Sequence, residues 1–344
     1  MFNFDEPIVI RNRTLDPHNQ IICKLYAAET SILDRLRFLP YYFLRRGFVK
    51  VCQTVMPIDK KLEVIETYDE YIGTIKFRYY AAKTKTKDTI MYFHGGAFAF
   101  GNIESHDGIC RMITRACNKN VILFEYRLSP EYQYPAALED SFDVYQYLKK
   151  QLKLENHDIT FMGESAGGNL ALALSQYLED RDYKQPNALI LVVPPTSELR
   201  QNMPQSAIDF EKGPSRLDLE SCLYYTEKYT GGKQSGNPYV FPILRPSFAY
   251  APRTLIVTAG FDVLHDDGVS LYHKMLADNP NIYHICFETL THEFLFLYHH
   301  IPIVKNLFTI IRSFTENNDA EHIKKQINTV KNDIVQYEMS ETRK

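Results

Sequence analysis

Apolar residues follow two rhythms along this chain. Unbroken runs rich in β-branched and aromatic residues recur at 89–93, 121–126, 158–162, 188–193, 254–258 and 282–287. Runs without polar alternation predict parallel strands buried on both faces. Between them lie stretches of helical character at 106–117, 137–152, 166–178, 266–277 and 295–314. Strand and helix in alternation predict a doubly wound, mostly parallel α/β sheet. Upstream, the runs LEVIET and IGTIKFRYY, within 62–80, flank Tyr68-Asp69-Glu70-Tyr71 and predict an antiparallel hairpin that turns on those four residues.

Two segments break the alternation. Residues 1–61 precede it, and residues 195–252, rich in Pro and Gly with one helix predicted over 217–229, interrupt it. They are read as two parts of one helical cap, which leaves 62–194 and 253–316 as the two parts of the core. Ligands of open α/β sheets bind at the carboxyl ends of the strands, so such a cap would enclose a substrate. In 317–344 the residues Ile323, Ile327, Val330 and Ile334 form an apolar stripe on an otherwise polar helix. The stripe needs a surface, either the chain's own or that of a second copy in a homodimer.

Composition narrows the function. The chain has 344 residues, 45% of them hydrophobic and 24% charged, as expected of an ordinary globular protein. A formal charge of -3 gives no positive field for nucleic acid, and a small neutral substrate fits better. Six scattered cysteines include no Cys-x-x-Cys pair and no His at zinc spacing, which predicts buried reduced thiols and no metal. Residues 1–10 lack the pattern of a signal peptide, and no run of about 18 uncharged apolar residues occurs. A cytoplasmic protein is expected. The basic and aromatic stretch from Arg37 to Arg46 is read as a cap helix interrupted by Pro40, with contact to a membrane surface as the alternative.

The chemistry concentrates where strands end. Gly163-Glu164-Ser165-Ala166-Gly167 sits between a predicted strand and a predicted helix, the context that gives Gly-x-Ser-x-Gly its meaning. The sharp turn lifts a serine hydroxyl clear of the sheet, and small flanking residues make the turn feasible. Ser165 is the expected nucleophile. It needs a base, and the base needs an acid to orient it. In the order Ser, Asp, His these are Asp262, just beyond the strand at 254–258, and His292, in the loop after 282–287. Asp266 and Asp267 are read as helix-capping residues, His273 and His284 as members of regular elements, and His299 and His300 as part of the last helix. Charge developing on a substrate carbonyl requires donors. The run His94-Gly95-Gly96-Ala97-Phe98 offers the amides of Gly95, Gly96 and Ala97, and the Ala166 amide adds to them.

With these motifs in place, 89–314 resembles the hormone-sensitive-lipase-like (bacterial type IV) esterases of the α/β-hydrolase superfamily. The runs from Tyr126 to Glu131, Tyr134 to Asp140 and Asp262 to Gly268 are similar to further segments of that family. The resemblance implies the α/β-hydrolase fold with a helical cap, no cofactor, and a serine carboxylesterase acting on short- to medium-chain esters. It also implies that the Gly96, Ala97 and Ala166 amides form the oxyanion hole. An amidase or formamidase, or a catalytically silent ligand-binding protein, are the alternative readings. The stretch Pro194-Pro195-Thr196 and three single positions depart from the family pattern. Ala97 replaces a third glycine, Glu164 stands where Asp is more usual, and Glu293 replaces the glycine after the histidine. An outward, solvated Glu293 is expected; pointing inward it would raise the pKa of His292.

Overall fold

The computed structural model describes residues 5–24, 40–63, 65–201, 203–215, 217–316 and 319–341. A short antiparallel ribbon pairs β1 (Val9–Ile10) with β2 (Arg13–Thr14). The main sheet has eight strands: β3 (Thr67–Ile72), β4 (Ile75–Tyr80), β5 (Thr89–Phe93), β6 (Asn120–Phe124), β7 (Ile159–Glu164), β8 (Ala188–Val192), β9 (Arg253–Phe261) and β10 (Ile282–Thr291). Their order is β10-β9-β8-β7-β5-β6-β4-β3. From β10 to β6 neighbours run parallel, and β4 and β3 close one edge antiparallel. Every residue of β5, β6, β7 and β8 is buried, which is why these strands carry no polar alternation.

The principal helices are α1 (Tyr41–Val55), α2 (Ile103–Cys117), α3 (Ala136–Lys150), α4 (Ala166–Glu179), α5 (Leu219–Thr230), α6 (His265–Asp278), α7 (Lys305–Glu316) and α8 (Ala320–Glu341). Asn102 starts α2 with a reciprocal cap: its side chain accepts from Ser105 N–H, and Ser105 Oγ accepts from Asn102 N–H. The stripe on α8 docks on the chain itself. Ile323, Ile327, Val330 and Ile334 are buried in the same apolar cluster as Leu307, Ile310, Ile311 and Phe314 of α7.

Several expectations need correction. The hairpin turns at Gly73, whose φ of 59° suits a residue without Cβ, and not on Tyr68-Asp69-Glu70-Tyr71. Those four residues lie in the edge strand β3, where Asp69 pairs with Arg78 at 2.5 Å and Tyr68 stacks on Tyr79. Leu62, read as part of the first hairpin strand, lies in a short helix, Lys60–Glu63. The single helix expected at 295–314 is two 3₁₀ turns, Phe294–Leu297 and Pro302–Val304, followed by α7. Pro302 forces its predecessor into an extended conformation, and Ile301 adopts φ -119° and ψ 107°. His299 and His300 consequently sit in a turn. Of the stretch from Arg37 to Arg46, residues 37–39 lie outside the described residues. Pro40 immediately precedes α1. Arg45 is held by the protein itself, donating to Ala99 O at 2.8 Å, Ser129 O at 2.9 Å and Glu131 Oε2 at 2.7 Å. Four of the six free cysteines are buried, and Cys222 and Cys286 are half-buried. Among the described residues no helix is long and apolar enough to cross a membrane.

Candidate active site

Four loops at the carboxyl ends of parallel strands converge, and each carries one of the expected groups. After β7 the chain turns sharply at Ser165, whose φ of 53° and ψ of -126° are strained for a residue with a side chain. The turn is held by Ser165 N–H donating to Val192 O at 2.8 Å, and α4 begins at the next residue. Glycine is obligatory on both sides. A Cβ on Gly163 would lie 2.3 Å from Gly167 O, and one on Gly167 would lie 1.9 Å from Phe93 O.

Ser165 Oγ lies 2.9 Å from His292 Nε2, and His292 Nδ1 lies 2.8 Å from Asp262 Oδ2. Since an ionised carboxylate only accepts, Nδ1–H donates to Asp262, which leaves the Nε2 lone pair facing the Ser165 hydroxyl. Asp262 Oδ1 is occupied by Leu264 N–H at 2.9 Å, so the carboxylate is fixed from both oxygens. His292 is 8% exposed and Asp262 1%. Burial opposes a charge on the imidazole, yet Asp262, then Glu293 and Glu164, outweigh it and raise the His292 pKa above its ordinary value.

The competing carboxylates are engaged elsewhere. Both open α6, but neither acts simply as a cap. Asp267 accepts from Thr196 N–H at 2.6 Å, Thr196 Oγ1 at 2.7 Å and Ser197 N–H at 3.1 Å; burial, opposed by those bonds, raises its pKa. Asp266 pairs with Arg11 and accepts from Ser206 N–H at 2.7 Å.

The donor loop follows β5. Gly96 and Ala97 line the cavity beside Ser165, with φ of 113° and 54°. Gly95 is a correction: its N–H donates to Glu164 Oε1 at 2.6 Å and therefore does not face a substrate oxygen. The Ala166 amide opens α4, where a helix has no acceptor of its own for it. Glu164 is the group whose role the sequence did not reveal. Besides Gly95 it accepts from Tyr92 Oη at 2.5 Å, and His106 Nε2 lies 2.7 Å from its Oε1. Glu293 overturns a second expectation. It lines the cavity, and its Oε1 accepts from Leu217 N–H at 3.2 Å, so it points inward and raises the His292 pKa.

These groups face a cavity of about 210 Å³. Its outer wall includes Leu44 and Phe48 from α1 and Ser221 and Tyr225 from α5, so elements of 1–61 and of 195–252 meet above Ser165. Phe100 joins them, 5.6 Å from Phe48 and 5.4 Å from Tyr225 between ring centroids. Among the described residues no group of three His, Cys, Asp or Glu is arranged to hold a metal ion.

The sheet order, the elbow and the convergence of loops define an α/β hydrolase, and comparison with known proteins agrees. A profile of the α/β-hydrolase fold family matches residues 90–296, and the chain belongs to that family. Among curated proteins it is 28% identical over 274 residues to an arylesterase of Saccharolobus solfataricus, covering 76% of this chain and 86% of the relative. To an acetyl esterase of Salmonella typhi it is 27% identical over 231 residues, covering 65% of this chain and 70% of the relative. An α/β-hydrolase enzyme from the metagenome of Lake Arreo, Spain, has the same fold at a TM-score of 0.80 and 23% identity, with 88% of this chain and 97% of that chain covered. These relatives accord with the hormone-sensitive-lipase-like resemblance.

Proposed function

We propose that this carboxylic ester hydrolase cleaves short- to medium-chain esters through an acyl-enzyme formed on Ser165. The observation that carries the reading is the unbroken relay from Ser165 Oγ through His292 to Asp262, opening into a cavity beside the Gly96 and Ala97 amides. His292 Nε2 takes the hydroxyl proton as Ser165 attacks the acyl carbon, and Asp262 steadies the imidazolium that forms. The carbonyl oxygen, now anionic, is received by the amides of Gly96, Ala97 and Ala166. His292 then protonates the departing alcohol. A water molecule, deprotonated by the same nitrogen, releases the acid and restores the serine.

The elements around α1 and α5 form a cap that limits the acyl chain. Phe48, Phe100 and Tyr225 give that wall an apolar character suited to a hydrocarbon acyl group. The Ala97 methyl narrows the site further.

Release of p-nitrophenol from an acyl-length series tests the reading. Activity is expected to peak at short to medium chains, and folded Ser165→Ala protein is expected to lose it. A folded Ser165→Ala variant that keeps the full rate would remove Ser165 from the mechanism. A higher rate on matched amides than on esters would move the reading to an amidase.

A further inference from the structure

Thr291, the residue before His292, is 1% exposed, and both its backbone N–H and its hydroxyl meet a single side chain. Its N–H donates to Asn19 Oδ1 at 2.8 Å, and Asn19 Nδ2 donates to its Oγ1 at 3.0 Å. Asn19 is fully buried although it lies 272 residues away in the chain. A buried carboxamide is unfavourable unless it is bonded, so its two bonds to one residue are a built contact.

The need for that contact lies in the strand. The ladder between β10 and β9 is regular from Ile282 to Phe287, shifts register, and resumes only with Thr291 against Phe261. A single pair thus holds the end of β10 in the ladder, against six consecutive pairs at its start. The amino-terminal segment supplies what the ladder omits. Residues 17–24 are helical, with Asp16 capping them: Asn19 N–H donates to Asp16 Oδ1 at 2.9 Å. Asp16 N–H donates to Thr289 O at 2.9 Å, so Thr289 and Thr291 are both gripped from this segment. The grip is closed from the far end of the chain, where Tyr337 of α8 donates its hydroxyl to Asp16 Oδ2 at 2.9 Å.

We propose that Asn19 is a positioning residue for His292. It fixes the backbone of Thr291 so that the imidazole stays in line with Ser165 Oγ, with Asp16 and Tyr337 fixing Asn19. The inference rests on the reading of His292 as general base. Asn19 is not part of the cavity wall. Its loss therefore disturbs proton transfer and leaves substrate binding intact.

The test compares Asn19→Ala, Asn19→Asp, Thr291→Val and His292→Ala on p-nitrophenyl butyrate, with near-ultraviolet circular dichroism and melting as checks of folding. Asn19→Ala is expected to lower kcat on the order of 10- to 100-fold, the scale of a misplaced catalytic group, with KM little changed. The rate of serine phosphonylation should fall with kcat. Asn19→Asp keeps an acceptor for Thr291 N–H, and the Thr291 hydroxyl can turn to donate to it, so most of the rate should return. Thr291→Val keeps the backbone bond and should lose less than Asn19→Ala. Folded Asn19→Ala with an unchanged kcat overturns the proposal. So does a loss shared equally by kcat and KM that Asn19→Asp fails to rescue. Should Asn19→Ala not fold, Thr291→Val decides, and an undiminished rate there counts against Asn19. Full activity in His292→Ala would instead sink the general-base reading itself, whatever the Asn19 variants do.

Discussion

Ser165 and His292 approach to 2.9 Å, yet they are placed by opposite means. Ser165 is held by its own neighbourhood: β7 delivers it, α4 leads away from it, and Gly163 and Gly167 admit the close packing around it. His292 stands at the end of a strand whose ladder has already slipped, and distant residues steady it. Asp262 comes from the end of β9, Asn19 from the first residues of the chain, and Tyr337 beyond Asn19 from the last helix. In the proposed mechanism the turn of the nucleophile is thus written in its flanking glycines, while the base is placed mainly by residues far away in the chain. Damage to the first should appear as a failure to fold, and damage to the second as a failure to turn over.

Three substitutions press on that contrast. The largest effect is expected at the elbow. Gly167→Ala puts a methyl into the Phe93 carbonyl and should cost about 3 kcal/mol in denaturant unfolding, within the range for overpacked or strained backbone sites. A fully stable, active Gly167→Ala enzyme would mean that the elbow is looser than its geometry implies.

On the histidine side the expected effect is in pH dependence. The acid limb of kcat/KM should lie above the ordinary histidine pKa, because Asp262, Glu293 and Glu164 together outweigh burial at His292. Glu293→Gln removes one of these charges, and the limb should move toward lower pH. An unmoved limb would separate Glu293 from the base. Stability runs the other way: a histidine with a raised folded pKa contributes stability below its unfolded pKa, which is lost as pH rises through the folded value.

The smallest effect lies in the outer support. Burial beside Glu288 and Asp16, opposed by Thr289 and Arg13, pushes the Glu338 carboxyl up to about 7. Ionising it disfavours the docked α8, and that penalty grows between the ordinary carboxyl pKa and about 7. Glu338→Gln should therefore raise the melting temperature slightly at pH 8 and not at pH 4, with kcat unchanged at either. A difference equally large at both would assign the effect to packing.

The same contrast decides what the sequence could show. Strand runs buried on both faces are apolar throughout, and the parallel sheet is legible for that reason. Ser165, Asp262 and His292 were legible because each occupies the residue or loop directly after a strand, where spacing along the chain is informative. The turn at Gly73 was missed because the acidic residues of an edge strand look like a loop when their partners, Arg78 and Lys76, are not in view. Gly95 was counted with the oxyanion donors because a glycine run does not reveal which way each amide faces. Glu293 was expected outside because its inward partner, the Leu217 amide, belongs to a segment without a recognisable period. Nothing in the sequence marks Asn19, since the only signal of its role is contact with a residue 272 positions later.

Glu164 has a mechanical consequence. Its carboxylate takes the Gly95 amide so closely that a Cβ on Gly95 would lie 2.7 Å from Oε1, and the same side chain grows from the residue before Ser165. The loop after β5 and the turn that carries Ser165 are thereby stapled into a single body. Displacement of one would carry the other with it, so the spacing between Ser165 Oγ and the Gly96 and Ala97 amides is tied to one side chain.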